Sequence, residues 1–265
     1  MRFRLQYTCY GDVSQQAIFM IPGWAMPQES MQGLAQKLSK KFYVVLVSLP
    51  GIRQQTTESQ PLDLGVNYDI DALTEQLLEI APKSSWWLGW SLGGMIATYV
   101  AARRSSRVKG LITMATTPSF TQRENWPHAM TLADFDAFAQ LVNDAPSMAL
   151  KRFTLMQTKG NPQARPLQKR LQTYISPLVL NGLALNSGLR LLKSLDVRRE
   201  LQLLDCPNLH LIGREDALVP VEAWSQQENN NSLQSLHIFD ECAHQPFLEQ
   251  PELTVELIEQ YIDAH

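Results

Sequence analysis

Ser85-Trp86-Trp87-Leu88-Gly89-Trp90-Ser91-Leu92-Gly93-Gly94 is the stretch of sequence that decides the fold. The apolar residues before Gly89 predict a short buried strand, and the apolar residues after Ser91 recur at helical spacing. A serine between glycines at a sharp strand-to-helix turn is typical of a nucleophile elbow, which presents the hydroxyl group above the edge of a sheet. The segment therefore predicts a covalent nucleophile, Ser91. The alternative is a glycine-rich turn of a parallel α/β protein without this role.

The rest of the chain predicts a mostly parallel, doubly wound α/β sheet. Apolar strand patterns lie at 3–8, 17–21, 42–48, 86–90, 108–115, 208–212 and 236–239, and helical patterns such as 30–39 and 70–80 separate most of them. Buried strands that alternate with helices are typical of a parallel sheet. The first two strands are expected to form an antiparallel edge.

The strand patterns stop between residues 117 and 187, where helical and proline-containing stretches predominate. This change predicts an inserted helical cap at 117–187, with 1–116 and 188–265 forming the α/β core. Because the insertion follows the strand that ends near Ala115, it is placed to cover the sheet edge from which Ser91 emerges.

A serine hydroxyl needs a base, normally a histidine, and the histidine needs an orienting acid. His244 follows the last strand pattern and is the predicted base; the other histidines are interpreted as core or surface residues, namely His128, His210, His237 and His265. Asp216 follows the strand pattern at 208–212 and is the predicted acid. Glu215 is the competing carboxylate, and a solvated acidic turn before the next helix is the alternative. The chain order Ser91, Asp216, His244 is the order of an α/β-hydrolase triad.

Hydrolysis of an acyl compound also requires donors for the oxyanion that forms on the attacked carbonyl group. The amide of Leu92 follows the nucleophile at the start of a helix, so it is the first predicted donor. The second is predicted in the loop after 17–21, which reads Pro22-Gly23-Trp24-Ala25, and is assigned to the amide of Trp24.

Composition limits the classes of function. The 265 residues carry a formal net charge of −3, which gives no global reason to expect a nucleic-acid partner. Three cysteines (Cys9, Cys206 and Cys242) lack metal-site spacing and predict free thiols in a reducing compartment. No signal-peptide core follows the N-terminus, and no apolar run reaches the roughly 18 residues of a membrane span. We therefore expect a cytoplasmic protein that does not bind membranes. As separate expectations, the protein is a monomer and uses no metal or cofactor.

Residues 145–195 contain no Asp or Glu but eight basic residues: Lys151, Arg152, Lys159, Arg165, Lys169, Arg170, Arg190 and Lys193. Since the whole chain has 23 basic and 26 acidic residues, positive charge is concentrated in and just beyond the predicted cap. Such a patch suits an acidic partner. The alternative is a solvated basic helix face without a partner.

Several segments carry a resemblance to a known family. They are Pro22-Gly23-Trp24, Trp87 to Gly94, Glu124-Asn125-Trp126-Pro127, Arg152-Phe153 with Gln157-Thr158, and Val179-Leu180-Asn181-Gly182 with Gly188-Leu189. The chain resembles the α/β-hydrolase family from end to end, and within it the carboxylesterases that act on pimeloyl-[acyl-carrier protein] methyl ester in biotin synthesis.

The resemblance implies a serine carboxylesterase whose catalytic residues are Ser91, Asp216 and His244. It also implies that the substrate site contains Trp24, Ser91, Leu92, Phe153, Thr154, Leu155, Met156, Gln157 and His244, although ordinary helix packing also explains Phe153 and Met156. The implied partner is an acidic acyl-carrier protein, for which the basic segment offers Arg152, Arg165, Lys169 and Arg170. The alternatives are a generalist short-chain or aryl esterase, a carbon-carbon bond hydrolase with the same triad, and a ligand-binding module without turnover.

Overall fold

The computed structural model describes residues 5–52, 69–178, 181–225 and 233–265. Within these ranges one sheet contains the strands β1 (Tyr7–Tyr10), β2 (Ala17–Ile21), β3 (Tyr43–Val47), β4 (Ser85–Trp90), β5 (Val108–Met114), β6 (Asn208–Gly213) and β7 (Gln234–Phe239). Their order is β1-β3-β2-β4-β5-β6-β7. β1 is antiparallel to β3, and the other neighbouring pairs are parallel. The predicted α/β fold with a mostly parallel sheet is confirmed.

Helices connect the strands. They are α1 (Gln32–Leu38), α2 (Ile70–Ile80), α3 (Leu92–Arg103), α4 (Leu132–Asp144), α5 (Pro146–Gln157), α6 (Ala164–Ile175), α7 (Gly182–Ser194), α8 (Arg198–Gln202), α9 (Glu222–Ser225), α10 (Pro246–Glu249) and α11 (Pro251–Ala264). Short 3-10 turns occupy Gln28–Met31 and Ser105–Arg107. Among the described residues, no helix combines the length and apolar character needed to cross a membrane.

Alternate residues of β2 show that the sheet is covered on both faces. Ile18 and Met20 belong to the apolar cluster that also contains residues of α1 and α11. Phe19 and Ile21 belong to the cluster that contains residues of α3, α4, α5 and α7. Since successive side chains of a strand point to opposite faces, the apolar run at 17–21 is explained by burial on both sides.

The first strand differs from the prediction. The strand was expected at 3–8, but it lies at Tyr7–Tyr10, and residues 1–4 lie outside the described residues. It pairs antiparallel with β3, where Tyr7 lies opposite Val47, and not with β2 as expected. The reason is that β3 and β4 occupy both edges of β2, which leaves the outer edge of β3 for β1.

The described residues between β5 and β6 add no strand to the sheet, and α4 to α8 lie in this part of the chain. The division into a core and a cap at 117–187 stays a prediction. Its second boundary lies inside α7, which begins at the Asn181 side-chain cap and continues to Ser194. Val179 and Leu180, which contributed to the family resemblance, lie outside the described residues.

The loops after β2, β4, β5, β6 and β7 lie at one edge, because these strands are parallel and their carboxyl ends point the same way. The chain runs from β2 outward to β3 and then returns to β4 on the other side of β2. Ligands of open α/β sheets bind in the crevice that forms at such a reversal of strand order. Trp24, in the loop after β2, and Ser91, directly after β4, therefore lie on either side of this crevice.

Candidate active site

Ser91 lies between β4 and α3 with φ 54° and ψ −118°, a strained conformation for a residue with a side chain. Two glycines make the turn possible. A Cβ atom on Gly89 would lie 2.3 Å from the Gly93 carbonyl carbon, and one on Gly93 would lie 2.2 Å from the Ile21 carbonyl oxygen. The Ser91 amide donates to the Met114 carbonyl oxygen at 2.9 Å. The predicted strand, turn and helix are therefore all present, and Ser91 is held at the sheet edge.

Thr116 supports this turn from the loop after β5. Its Oγ1 lies 3.2 Å from the Ser91 carbonyl oxygen and 3.0 Å from that of Met114. A Cβ atom on Gly94 would lie 2.0 Å from the same Oγ1, so the third glycine of the motif makes room for this hydroxyl group. This role could not be predicted, because Thr116 lies outside the motif and contacts it only in the folded sheet.

His244 and Asp216 form a buried hydrogen-bonded pair. Nδ1 of His244 lies 2.7 Å from Oδ2 of Asp216, and the two side chains are 1% and 0% exposed. The other carboxylate oxygen, Oδ1, accepts the amides of Leu218 at 2.9 Å and Val219 at 3.0 Å. One oxygen thus fixes the loop, while the other is left for the imidazole.

Nε2 of His244 is buried and has no hydrogen-bond partner among the described residues. With Nδ1 protonated towards Asp216, Nε2 is the basic nitrogen and can accept a proton. Glu215, the competing carboxylate, is half-buried. Of these two carboxylates, Asp216 is the one that bonds to the imidazole. The geometry therefore favours Asp216 over Glu215 as the orienting acid.

The backbone of His244 is held from two directions. Its carbonyl oxygen accepts the indole N–H of Trp90 at 2.8 Å, and its amide donates to the carbonyl oxygen of Gln157, the last residue of α5, at 3.3 Å. The Trp90 ring also packs edge-on against Phe247, with 5.0 Å between ring centroids. The tryptophan beside Ser91 therefore joins the serine turn to the histidine loop.

The loop after β2 brings Trp24 close to the serine. A Cβ atom on Gly23 would lie 3.3 Å from the Cβ atom of Ser91, and Ala25 has φ 55°, which turns the chain away after Trp24. Leu92 is the first residue of α3. The amides of Trp24 and Leu92 have no acceptor among the described residues, so both can donate to a ligand.

The residues of α5 that the resemblance implied divide between two faces. Phe153 packs edge-on against Trp24 with 4.9 Å between ring centroids, and Gln157 is fully buried beside the histidine loop. Thr154 is also buried and bonds within its own helix to the Lys151 carbonyl oxygen. Met156 is half-buried and Leu155 is 52% exposed, because helical periodicity turns residue 155 away from 153 and 157. Substrate contact by these residues stays a prediction.

All eight basic residues of the segment 145–195 are exposed. Lys193 pairs with Asp136 at 2.5 Å, and Arg190 donates to the Ser187 hydroxyl. The other six have no ion pair among the described residues; they are Lys151, Arg152, Lys159, Arg165, Lys169 and Arg170. These six lie on α5, on α6 and on the connection between them, and we call them the unpaired basic face.

His210 is a core residue of β6. Its ring nitrogens lie 2.7 Å from Thr113 Oγ1 and 3.0 Å from Asn208 Oδ1, and burial lowers its pKa to about 3. It therefore stays neutral and hydrogen-bonded in the core. Among the described residues there is no group of three or more His, Cys, Asp or Glu side chains that could hold a metal ion.

Comparison with known proteins identifies the family. The sequence pattern of the alpha/beta hydrolase fold matches residues 16–251. The chain belongs to this family. Two proteins of similar sequence, both named pimeloyl-[acyl-carrier protein] methyl ester esterase, come from Vibrio cholerae and Aeromonas salmonicida. The first is 34% identical over 92% of this chain and 93% of its own length, and the second is 30% identical over 92% and 94%.

Solved alpha/beta hydrolase structures agree with the fold. An esterase from Exiguobacterium antarcticum superposes with a TM-score of 0.83 at 22% identity, covering 98% of this chain and 95% of its own. The enol-lactonase of Burkholderia xenovorans superposes with a TM-score of 0.81 at 15% identity, covering 98% and 96%. At these identities the superpositions show the fold alone. The family resemblance found in the sequence is confirmed.

Proposed function

We propose that this chain is a serine carboxylesterase that hydrolyses the methyl ester of a pimeloyl group carried by an acyl-carrier protein, with methanol and the free carboxylate as products. The observation that carries the chemistry is the buried hydrogen bond between His244 and Asp216 at the same sheet edge as the strained Ser91 turn. The substrate is proposed because relatives with this name match the chain over more than nine-tenths of its length.

In the first half of the reaction, Nε2 of His244 takes the proton of the Ser91 hydroxyl group while Oγ attacks the ester carbonyl carbon. Asp216 holds the imidazole in the correct tautomer and stabilises the imidazolium that forms. The amides of Trp24 and Leu92 donate to the oxyanion of the tetrahedral intermediate. His244 then protonates the departing methoxy oxygen, and methanol leaves an acyl-enzyme on Ser91.

In the second half, water replaces methanol. His244 removes a proton from the water as its oxygen attacks the acyl carbon, and the same two amides stabilise the second oxyanion. Collapse of this intermediate returns the proton to Ser91 Oγ and releases the carboxylic acid, which ionises at neutral pH. These steps use only side chains and amides of the chain, so the proposal includes no metal or cofactor.

The unpaired basic face supports a carrier-bound substrate. An acyl-carrier protein is acidic, and an exposed basic surface increases the rate at which an acidic partner meets it. Arg152 on α5 and Arg165, Lys169 and Arg170 on α6 are the proposed docking residues. The proposal also includes a monomer in the cytoplasm; size-exclusion chromatography with light scattering tests the first, and cell fractionation the second.

The test replaces the nucleophile and measures the reaction directly. Ser91→Ala should abolish release of methanol from pimeloyl-[acyl-carrier protein] methyl ester and abolish labelling by a fluorophosphonate. Ser105→Ala, an exposed serine in the 3-10 turn before β5, is the matched control and should leave both unchanged. Normal turnover by Ser91→Ala would eliminate the proposed nucleophile.

The substrate is tested separately. The wild-type gene should restore growth of a biotin-requiring strain that lacks its own methyl ester esterase, and the Ser91→Ala gene should not. Good hydrolysis of a small p-nitrophenyl ester without restored growth would contradict the pimeloyl assignment and favour a generalist esterase.

A further inference from the structure

Glu249 carries a half-buried carboxylate that the proposed reaction does not use. It is the last residue of α10, a single turn that begins two residues after His244. Its Oε1 accepts the amide of Gln245 at 2.8 Å, and its Oε2 accepts the amide of Ala243 at 2.7 Å. One carboxylate therefore holds the amides on both sides of His244.

The same carboxylate also contacts the connection between α5 and α6. Its Oε2 also accepts the Nδ2–H of Asn161, in the connection between α5 and α6, and this amide group lies 3.3 Å from the Glu241 carbonyl oxygen. Gly160, the preceding residue, lies against Glu215 in the loop that carries Asp216. The α5–α6 connection thus rests on both loops that hold the His-Asp pair.

This environment disfavours the ionised form of the Glu249 carboxylate. Burial raises the pKa of Glu249 above its usual value, the nearby Asp216 raises it further, and the three hydrogen bonds oppose the rise. No Lys or Arg side chain among the described residues pairs with it. A carboxylate that loses part of its hydration and has no cation nearby destabilises a fold unless its hydrogen bonds compensate. The position of Glu249 beside the histidine therefore points to a function.

We propose that Glu249 is a positioning residue for His244, and that its bond to Asn161 makes the placement of His244 depend on the α5–α6 connection. The inference rests on the proposed role of His244 as the base. Because α5 and α6 also carry the unpaired basic face, a carrier protein that binds this face contacts the same unit that holds the base. Glu249 touches no reacting atom and acts only through the histidine backbone.

The first experiment uses Glu249→Gln with a small p-nitrophenyl ester, which does not need the carrier. The carboxamide keeps the shape but has one acceptor oxygen, so one of the two amides beside His244 loses its partner. We expect kcat to fall about tenfold to a hundredfold with KM nearly unchanged, because a small displacement of a base slows the chemical step and not ground-state binding. The rate of fluorophosphonate labelling of Ser91 should fall in parallel.

Glu256→Gln is the matched control. Glu256 is an exposed carboxylate of α11 that bonds to Gln260, and its replacement should change neither kcat nor the labelling rate. Wild-type kcat and labelling in folded Glu249→Gln would overturn the proposal. If wild type itself neither hydrolysed the ester nor became labelled, the proposed function would have failed instead, which is a different result.

Asn161→Ala tests the link to the α5–α6 connection and remains informative if Glu249→Gln does not fold. It should also lower kcat, by a smaller factor than Glu249→Gln does, again with KM nearly unchanged. In the double variant the two losses should be less than multiplicative, because both remove parts of one network. A wild-type kcat for Asn161→Ala, or fully multiplicative losses, would overturn the link.

Discussion

Charged side chains have opposite environments in the loops at the carboxyl edge of the sheet and on the unpaired basic face. In the loops, Asp216 is buried, and each of its carboxylate oxygens has hydrogen-bond partners at fixed distances. On the basic face, residues such as Arg152 and Lys169 extend into solvent without an ion pair among the described residues. The buried carboxylate fixes the position of the His244 imidazole, and the exposed basic residues produce a positive electrostatic potential in the solvent.

The difference separates chemistry from partner selection. A buried, hydrogen-bonded charge is little affected by salt, whereas exposed charges are screened over about 8 Å at physiological ionic strength. Changes at the sheet edge should therefore affect every ester at any salt concentration. Changes on the basic face should affect only a carrier-bound substrate, and chiefly at low salt.

The largest effect is expected at the buried pair of Asp216 and His244. Asp216→Asn keeps an oxygen for the amides of Leu218 and Val219 but places an NH₂ group against Nδ1 of His244, which cannot then donate to it. The imidazole takes the wrong tautomer, and by analogy with other serine hydrolases kcat should fall by about 10⁴-fold. Steady-state kinetics with a small ester measure the loss.

Glu215→Gln is the control for this variant, because it neutralises the neighbouring carboxylate without touching the imidazole. It should retain most of the activity, and both variants should retain the wild-type circular dichroism spectrum. If Glu215→Gln were the inactive variant and Asp216→Asn the active one, the acid would have been assigned to the wrong loop.

The next effect concerns the backbone of the serine turn. In Gly93→Ala the new methyl group meets the carbonyl oxygens of Ile21 at 2.2 Å and Pro22 at 2.6 Å, so α3 must move away from the loop that carries Trp24. Overpacking of this kind destabilises a protein by about 1–3 kcal/mol. Urea unfolding followed by fluorescence measures the loss, and fluorophosphonate labelling of Ser91 should slow.

Gly33→Ala is the contrasting change. Gly33 lies in α1 with no atom near the position of a Cβ, so alanine should be neutral or stabilise the helix by roughly 0.5–1 kcal/mol. Equal unfolding midpoints for the two variants would contradict the argument that close backbone contact at residue 93 requires glycine.

The parts of the molecule that follow local patterns could be predicted from the sequence. The strand at 17–21 and the helix at 70–80 have the predicted bounds, because burial on both faces and amphipathic spacing leave a signature in consecutive residues. The glycines around Ser91 were informative for the same reason. The pairing of β1 was not predictable from its own residues, since it depends on which edges of β2 are already occupied.

The supporting contacts of the candidate site could not be predicted, because they join distant parts of the chain. The bond between Asn161 and Glu249 spans 88 positions, and the one between Trp90 and His244 spans 154. Such contacts leave no periodic pattern. In the segment 153–157 the side chains lie on different faces of one helix. The resemblance indicated the segment as a whole, whereas helical geometry turns Leu155 to the outside.

A moderate effect is expected on the basic face. Reversing Arg152, Arg165 and Lys169 to glutamate should raise KM for the carrier-bound ester about tenfold at low salt, since exposed charge pairs contribute about 0.2–1 kcal/mol each. The small p-nitrophenyl ester should be hydrolysed as before, and the difference between the variants should shrink as salt is added. Equal loss on both substrates would argue against docking at this face.

The smallest effect distinguishes free charge from total charge within the same segment. Lys193 is already paired with Asp136, whereas Lys169 has no ion pair among the described residues. If the field of unpaired groups attracts the carrier, Lys169→Gln should raise KM for the carrier-bound ester about twofold, within the range of a single exposed ion pair. Lys193→Gln should change it less, because the carboxylate of Asp136 already offsets that charge. Measured side by side at low salt, equal shifts would mean that the ion pair does not matter and that the carrier senses only the net charge of the segment.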